Sequence, residues 1–446
     1  MNRLLLVLVV VPLLASRGVS AAEYIRAQTP IPASVEELQT TLDVSLEKEE
    51  RVVEKVVFEK LKRRLETKPA WLRDLSFDFN LRSYYYKQVN RTDRINEALA
   101  LGGELALVTG KFANFARVGF SYYGSYGLYA PEEREGSRLL GPDQENLGVL
   151  GQAYLELGTL EKLGARLYRQ TLEWPYLNKR DNRMIPNTHE AYQIGRLGTG
   201  RDFGISHVTK IKRRDSERFV PMSEAAGAPG TDKGVTTAGM KLNLGQGRNL
   251  GVFNNYGWDT YNTAYVEASW IGPLARRSDY RVSAQFTDQR SVGDALVGDF
   301  NTDAFGIALA ADRRGMLFKL SYTQTDKGGV IRNPWGGSPS YNSMMLENFS
   351  RASEKSLRFS FSWTGRGNRD ALSGIVNLVT GWDAIDADTG LSLPDVTEYD
   401  FTADYKPRSG RSKGLWLRLR GAYANYEEGR DRWNVRVILN YPFNFL

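Results

Sequence analysis

From Leu75 onward the chain alternates apolar and polar residues with a period of two, segment after segment. Phe77, Phe79, Leu81 and Tyr85 alternate with Asp78, Asn80 and Arg82. Tyr280, Val282, Ala284 and Phe286 alternate with Arg281, Ser283 and Gln285, and Leu357, Phe359, Phe361 and Trp363 with Arg358, Ser360 and Ser362. Tyr399 to Tyr405, Leu415 to Arg420 and Val435 to Phe443 repeat the pattern. Successive strand side chains point to opposite faces, so each segment is a strand with one apolar and one polar face. Period and punctuation together give about 18 strands.

The connections separate a soluble sandwich from a membrane barrel. Short turns fall at Thr109–Lys111, Gly158–Glu161, Gly198–Gly200, Gly245–Gly247, Gly272–Arg277, Asp312–Arg314, Gly365–Arg369 and Pro407–Arg411. Between them lie longer loops such as Ser125–Leu147, Glu173–Thr188, Arg213–Gly234, Arg290–Asn301, Asp326–Glu354 and Asp383–Val396. Three connections of the long set are short, near Asn90–Asp93, Gly257–Asp259 and Glu427–Arg430. Amphipathic strands of about ten residues, an even count and alternating turn lengths describe a transmembrane antiparallel β-barrel. The fold class is therefore all-β, with the apolar face toward lipid and the polar face toward a water-filled lumen. Short turns would lie in the periplasm and long loops outside the cell. Tyr441, Phe443 and Phe445 lie on one face of the last strand, one residue before the end. Tyr84, Tyr122, Tyr123, Trp363, Trp416 and Trp433 are candidates for aromatic girdles at the two interfaces.

The N-terminal part reads differently. Arg3, the apolar run Leu4 to Ala15 and the small residues before Ala22 make residues 1–21 a signal peptide. Residues 22–70 are a periplasmic linker and amphipathic helix, and residues 71–446 the barrel. The helix is expected over Ser34–Glu66, with Leu38, Leu42 and Leu46 and then Val53, Val57, Leu61 and Leu65 every four residues. It reads as a coiled coil or docking helix, or as a solvated amphipathic linker.

Composition removes several chemistries. The chain has no cysteine and only 2 histidines, His189 and His207, so neither thiolate chemistry nor a histidine-rich metal centre is expected. No nucleophile motif surrounds either histidine, and His207 lies on the opposite strand face from Ser206. No enzyme, cofactor or metal is expected. A net charge of +7 is modest and does not argue for nucleic acid.

Two loop segments resemble the OprD family of bacterial outer-membrane porins. In the first, Asp181, Arg183, Pro186 and Glu190 match the family pattern, with His189 and Ala191 departing from it. In the second, Pro339, Tyr341, Ser343, Glu347, Phe349, Arg351, Ala352 and Glu354 match. Ser340 and Ser353 stand there where the family usually has glycine, and Asn348 where it usually has aspartate. The ending Arg436-Val437-Ile438-Leu439-Asn440-Tyr441-Pro442 is also similar to the family's last strand. The resemblance covers the barrel and not the N-terminal helix. It implies a monomeric outer-membrane barrel with inward-folded loops, passing small carboxylate-bearing solutes along lumen arginines. An oligomer formed through the helix is compatible with it.

Counted from each apolar face, Arg82, Arg166, Arg281, Lys319, Arg358, Arg418, Arg420 and Arg436 point inward. Guanidinium groups stay charged and bind carboxylates with two bonds, so a row of them would hand small anionic or zwitterionic solutes along. Asp78, Glu104, Glu156, Asp400 and Asp404 also point inward, and a mixed wall serving only solvation is the plainer reading. Glu173–Thr188, with Glu190 just beyond, is the expected constriction loop. Trp174, Tyr176 and Asp181 would frame its opening and Arg180 and Arg183 supply charge. Alternatively the loop packs on the inner wall, with Asp181 and Arg183 pairing to hold it. The expected function is a substrate-selective porin. A general diffusion or sugar pore and a non-conducting structural or receptor barrel are the alternatives.

Overall fold

The computed structural model describes residues 56–446, apart from 198–201, 276–277, 314, 366–370, 408 and 411. The expected signal peptide, the linker and Ser34 to Lys55 lie outside the described residues. So does the expected turn at Gly198–Gly200. Of the N-terminal helix, the described part is α1, Glu59–Leu65. It starts there because Val57 and Phe58 are engaged elsewhere. Their N–H groups donate to the carbonyls of Asn444 and Phe445 at 2.9 and 3.1 Å, at the end of the last strand. Pro69 then introduces a single further turn, α2, Ala70–Arg73.

Eighteen strands form the wall. They are β1 Ser76–Val89, β2 Ile95–Val108, β3 Ala116–Tyr129, β4 Leu147–Thr159, β5 Leu163–Gln170 and β6 Thr188–Arg196. There follow β7 Phe203–Lys212, β8 Val235–Gly245, β9 Arg248–Gly257, β10 Tyr261–Ala275, β11 Ser278–Ser291 and β12 Asn301–Arg313. The last six are β13 Met316–Thr325, β14 Lys355–Thr364, β15 Leu372–Trp382, β16 Val396–Tyr405, β17 Trp416–Tyr426 and β18 Arg432–Asn444. Each pairs antiparallel with the next, and β1 pairs with β18 from Asp78↔Asn444 to Val89↔Trp433. Closure pairs every wall strand on both sides, as a wall in hydrocarbon requires, since an open edge would leave backbone groups unsatisfied. Connections at the end holding α1 and the last residues are short, such as 160–162 and 246–247. Those at the other end include 130–146, 171–187, 213–234 and 326–354.

The period-two pattern separates outside from inside. On β12, Ile307 and Leu309 are 54% and 56% exposed, while Ala308 and Ala310 between them are 6% and 8% exposed. On β17, Leu417 and Leu419 are exposed and Arg418 and Arg420 buried. The outward face is therefore a continuous apolar surface. Of the aromatics expected at the interfaces, Tyr122 is exposed on the outward face, and Trp363 and Trp433 share the outward parity of Phe361 and Val435. Tyr84, Tyr123 and Trp416 instead face inward. Tyr84 is buried, the Tyr123 hydroxyl donates to Glu104 at 3.0 Å, and Trp416 Nε1 donates to Asp404 at 2.7 Å. Each sits one residue from a lipid-facing neighbour, which in a strand reverses its direction.

Candidate functional site

Two loops fold from the long-loop end into the lumen. The first, 171–187, is anchored on one wall by its aromatics. Trp174 packs edge-on against Phe253 of β9 and Tyr176 against Tyr265 of β10, both at 6.0 Å between ring centroids. The Tyr176 hydroxyl lies 2.8 Å from Thr287 Oγ1 of β11. Trp174 and Tyr176 are thus buried anchors rather than a frame around the opening. Tyr176 and Arg180 take positive φ, 63° and 41°, a strained conformation that this packing holds in place.

Asp181 crosses to the facing wall. Arg82 of β1 donates Nη1 and Nη2 to its two carboxylate oxygens at 2.7 and 3.2 Å, and Nε to Asn440 of β18. Burial pushes the Asp181 carboxyl up, but the Arg82 guanidinium outweighs it and holds the group below the usual carboxylate range. Asp181 therefore pairs with the wall, and Arg183 takes other partners. Arg183 donates Nε to the Ser137 carbonyl at 2.9 Å and lies 4.7 Å over the Tyr86 ring. Glu190, counted with this loop in the sequence, belongs to β6 and binds Arg169 at 3.1 Å.

The second loop, 326–354, carries the longer family-like motif. The Tyr341 hydroxyl donates to Glu267 at 3.0 Å, and its carbonyl accepts Arg358 Nη1 at 2.7 Å. Asn342 donates to Ser356 and accepts from Ser321. Ser343 donates to Asn348. The backbone N–H groups of Leu346 and Glu347 both donate to Glu398 at 2.8 Å, and that of Met345 to Asp400. Glu347 accepts from Arg432 at 3.2 Å, Phe349 packs on Val379 and Val396, and Arg351 clamps Glu354 with two bonds. Pro339 is half-buried at the start of this stretch. Arg180 Nη1 donates to the Gly336 carbonyl at 3.3 Å and links the two loops.

Between the loops and the wall of β1, β17 and β18 lies a cavity of about 270 Å³. Arg420, Arg432 and Arg436 line it from the wall, Arg180 and Arg183 from the first loop, and Arg138 and Arg214 from two others. Among the described residues no carboxylate lines it, although Arg432 is paired with Glu347. The crowding is felt on Arg214. Burial, and then the nearby Arg183, Arg180 and Arg138, lower its pKa well below that of a free guanidinium. Arg420 and Arg436 are cross-strand partners on β17 and β18. Below them toward the short-turn end come Arg418, bonded to Asp404 at 2.7 and 2.9 Å, and Arg82.

The eight inward basic residues therefore divide. Arg82, Arg418, Arg420 and Arg436 form one run on adjoining strands. Arg358 is fully buried, bonded to Ser360, Asn377 and Tyr341, and Lys319 Nζ lies 4.9 Å over the Tyr341 ring. Those two support the second loop from behind. Arg281 is level with Lys319 across β12, since both pair with Ala310. Arg166 is occupied by Glu156 at 2.6 Å, on the far wall. Sequence reasoning missed Arg138, Arg214 and Arg432. Arg432 shares the parity of Arg436 on β18, a signal that was available; the other two lie in loops without periodicity. Ser206 is buried inward, while His207 is turned outward to Thr236. Among the described residues no group of three or more acidic or histidine side chains could hold a metal ion.

Residues 70–445 match the model of a family described as outer membrane porin, OprD family. Solved structures with the same fold include Pseudomonas aeruginosa OpdK with vanillate. It has a TM-score of 0.75 and 19% identity, covering 83% of this chain and 99% of that one. Acinetobacter baumannii OccAB2 gives a TM-score of 0.76 at 17% identity, covering 85% and 100%. A BenF-like porin from Pseudomonas fluorescens Pf-5 gives 0.73 at 17%, covering 84% and 100%. No curated protein sequence matches the chain.

Proposed function

The chain belongs to the OprD family of outer-membrane porins, and from that premise we propose that it is a selective channel for small carboxylate-bearing solutes. It is a channel of the bacterial outer membrane and not an enzyme. The observation that supports the selectivity is the cavity lined by seven arginines and, among the described residues, no carboxylate. Guanidinium groups bind carboxylates through paired, charge-assisted hydrogen bonds. A solute would enter between the two inward loops, meet Arg432, Arg436 and Arg420, and pass to Arg418 and Arg82. Each of those last two already faces a protein carboxylate, so the solute competes for it rather than being trapped. Successive sites of that kind favour passage over retention. OpdK, whose fold is similar, has been solved with vanillate, an aromatic carboxylate. Among this chain's own features, the cavity's charge is what extends that class to it.

The test is planar-bilayer recording of the refolded mature chain under a salt gradient, titrated with small carboxylates, basic amino acids and neutral sugars. Anion preference and saturable block by a carboxylate are expected. In the double variant Arg420→Gln, Arg436→Gln the reversal potential should move toward cations. An unchanged reversal potential would remove the cavity from the pathway, and discrete steps indifferent to every solute would indicate a general pore.

A further inference from the structure

The described residues before β1 are fixed to the barrel at a definite place, away from the arginine-lined cavity. Val57 and Phe58 continue the hydrogen bonding at the end of β18, and Leu446 donates to the Phe77 carbonyl. Phe58 stacks on Phe445 at 5.5 Å, and Phe445 contacts Phe77 at 5.1 Å and Phe443 at 6.4 Å. Phe443 in turn stacks on Phe79 at 5.9 Å. These rings share the parity of exposed Val437, which is the outward face of the wall. Phe58 therefore extends the lipid-facing surface past its short-turn edge. On the next turn, Trp71 stacks on Phe112 at 5.0 Å, and Phe112 and Phe115 are both exposed.

Two properties of α1 stand out at this place. Its Leu61, with Val57 and Phe58 just before it, is 44% exposed, and those two are 50% and 47% exposed, so the barrel leaves about half of each uncovered. Beside them run Lys60, Lys62, Arg63, Arg64 and Lys68, against Glu59 and Glu66. Among the described residues none of these five cations has a carboxylate within 4.0 Å, and only Lys62 acts on a nearby acid, Asp74. Exposed apolar side chains and an excess of cations together at a membrane edge are the signature of an interfacial helix. Aromatic rings favour the headgroup level, and each lysine or arginine near an anionic surface adds attraction that salt screens.

We propose that Val57–Arg73 is a lipid-docking foot. It lies on the periplasmic leaflet beside the β1–β18 seam, its apolar side chains in the headgroup boundary and its cations on anionic phospholipid headgroups. The occupant is lipid because the exposed apolar surface is continuous with the barrel's lipid-facing band and the adjoining charge is positive.

The absence of cysteine makes the test direct, because one introduced cysteine labels one site. Leu61→Cys in the full chain carries a nitroxide, with Val57→Cys as a second position. Each is refolded into phosphatidylcholine vesicles with and without phosphatidylglycerol. Folding is checked by heat-modifiable migration, and collision with oxygen and with an aqueous nickel chelate is measured. With phosphatidylglycerol the nickel collisions should be lost and the oxygen collisions should rise. High salt, or Lys60→Gln, Lys62→Gln, Arg63→Gln and Arg64→Gln together, should restore nickel access. A label open to nickel in both vesicles at both positions means a water-facing helix and overturns the proposal. Burial that survives both salt and charge removal overturns the role of the cations. Neither readout depends on conduction, so the channel reading stands or falls separately.

Discussion

At the residue scale the basic side chains of the lumen do different work, and their contacts predict which. Arg420 and Arg436 line the cavity, whereas Arg358 is fully buried and spends its guanidinium on Ser360, Asn377 and Tyr341. Hydrogen bonds to a charged group contribute about 1.5–3 kcal/mol each. Arg358→Gln should therefore lower the temperature at which the barrel unfolds on heat-modifiable gels while leaving ion selectivity nearly unchanged. Ser353 takes a φ of 61° in the second inward loop. An L-residue pays about 1–2 kcal/mol in that conformation. Ser353→Gly should raise the stability of the folded chain by about 1 kcal/mol in urea titration. Asp181 gives a pH dependence. The Arg82 guanidinium holds its folded pKa below that of an unperturbed aspartate, about 3.9, so its bond to Arg82 stabilises the loop fully above that pH. The stabilisation is lost only as pH falls through the lower folded pKa. Open-channel noise should stay flat down to about pH 4 and rise below it. Asp181→Asn should show the raised noise at neutral pH.

At the scale of elements, the wall was readable and the inward loops were not. Phe359 and Arg358, or Leu419 and Arg418, announce a two-faced strand by themselves, because one residue's parity fixes its neighbour's. Parity also placed all eight basic residues on the inner face. The same parity puts Tyr84, Tyr123 and Trp416 on the inner face, against the interfacial place that aromatic character alone suggests. Trp174 and Tyr176 could not be assigned by any local rule. Whether a loop aromatic lines an opening or anchors on a wall depends on Phe253, Tyr265 and Thr287, far away in sequence. The convergence of Arg138, Arg183 and Arg214 is tertiary in the same way. If the second loop is the removable wall of the cavity, deleting residues 343–348 should increase single-channel conductance and weaken carboxylate block together. Unaltered conductance would mean that the narrowest point lies elsewhere.

At the scale of the whole molecule, stability rests on circumferential pairing rather than on one buried core. The apolar groups are in several clusters, and the largest of these is loop packing against the wall. Loss of a terminal extension should therefore be tolerated. Deleting Ser34–Glu66 removes the Phe58 stack and two backbone hydrogen bonds, but leaves the β1–β18 register whole. A heat-modifiable, conducting barrel is expected; failure to assemble would make the extension part of the fold. The same register has a consequence for timing. The two strands that seal the ring are the first and the last of the wall, so the ring cannot close until both are present at the membrane. Any chain cut short presents two raw edges and a greasy exterior at once, the surfaces most prone to clump. Only a chain that carries both strands can hide those edges.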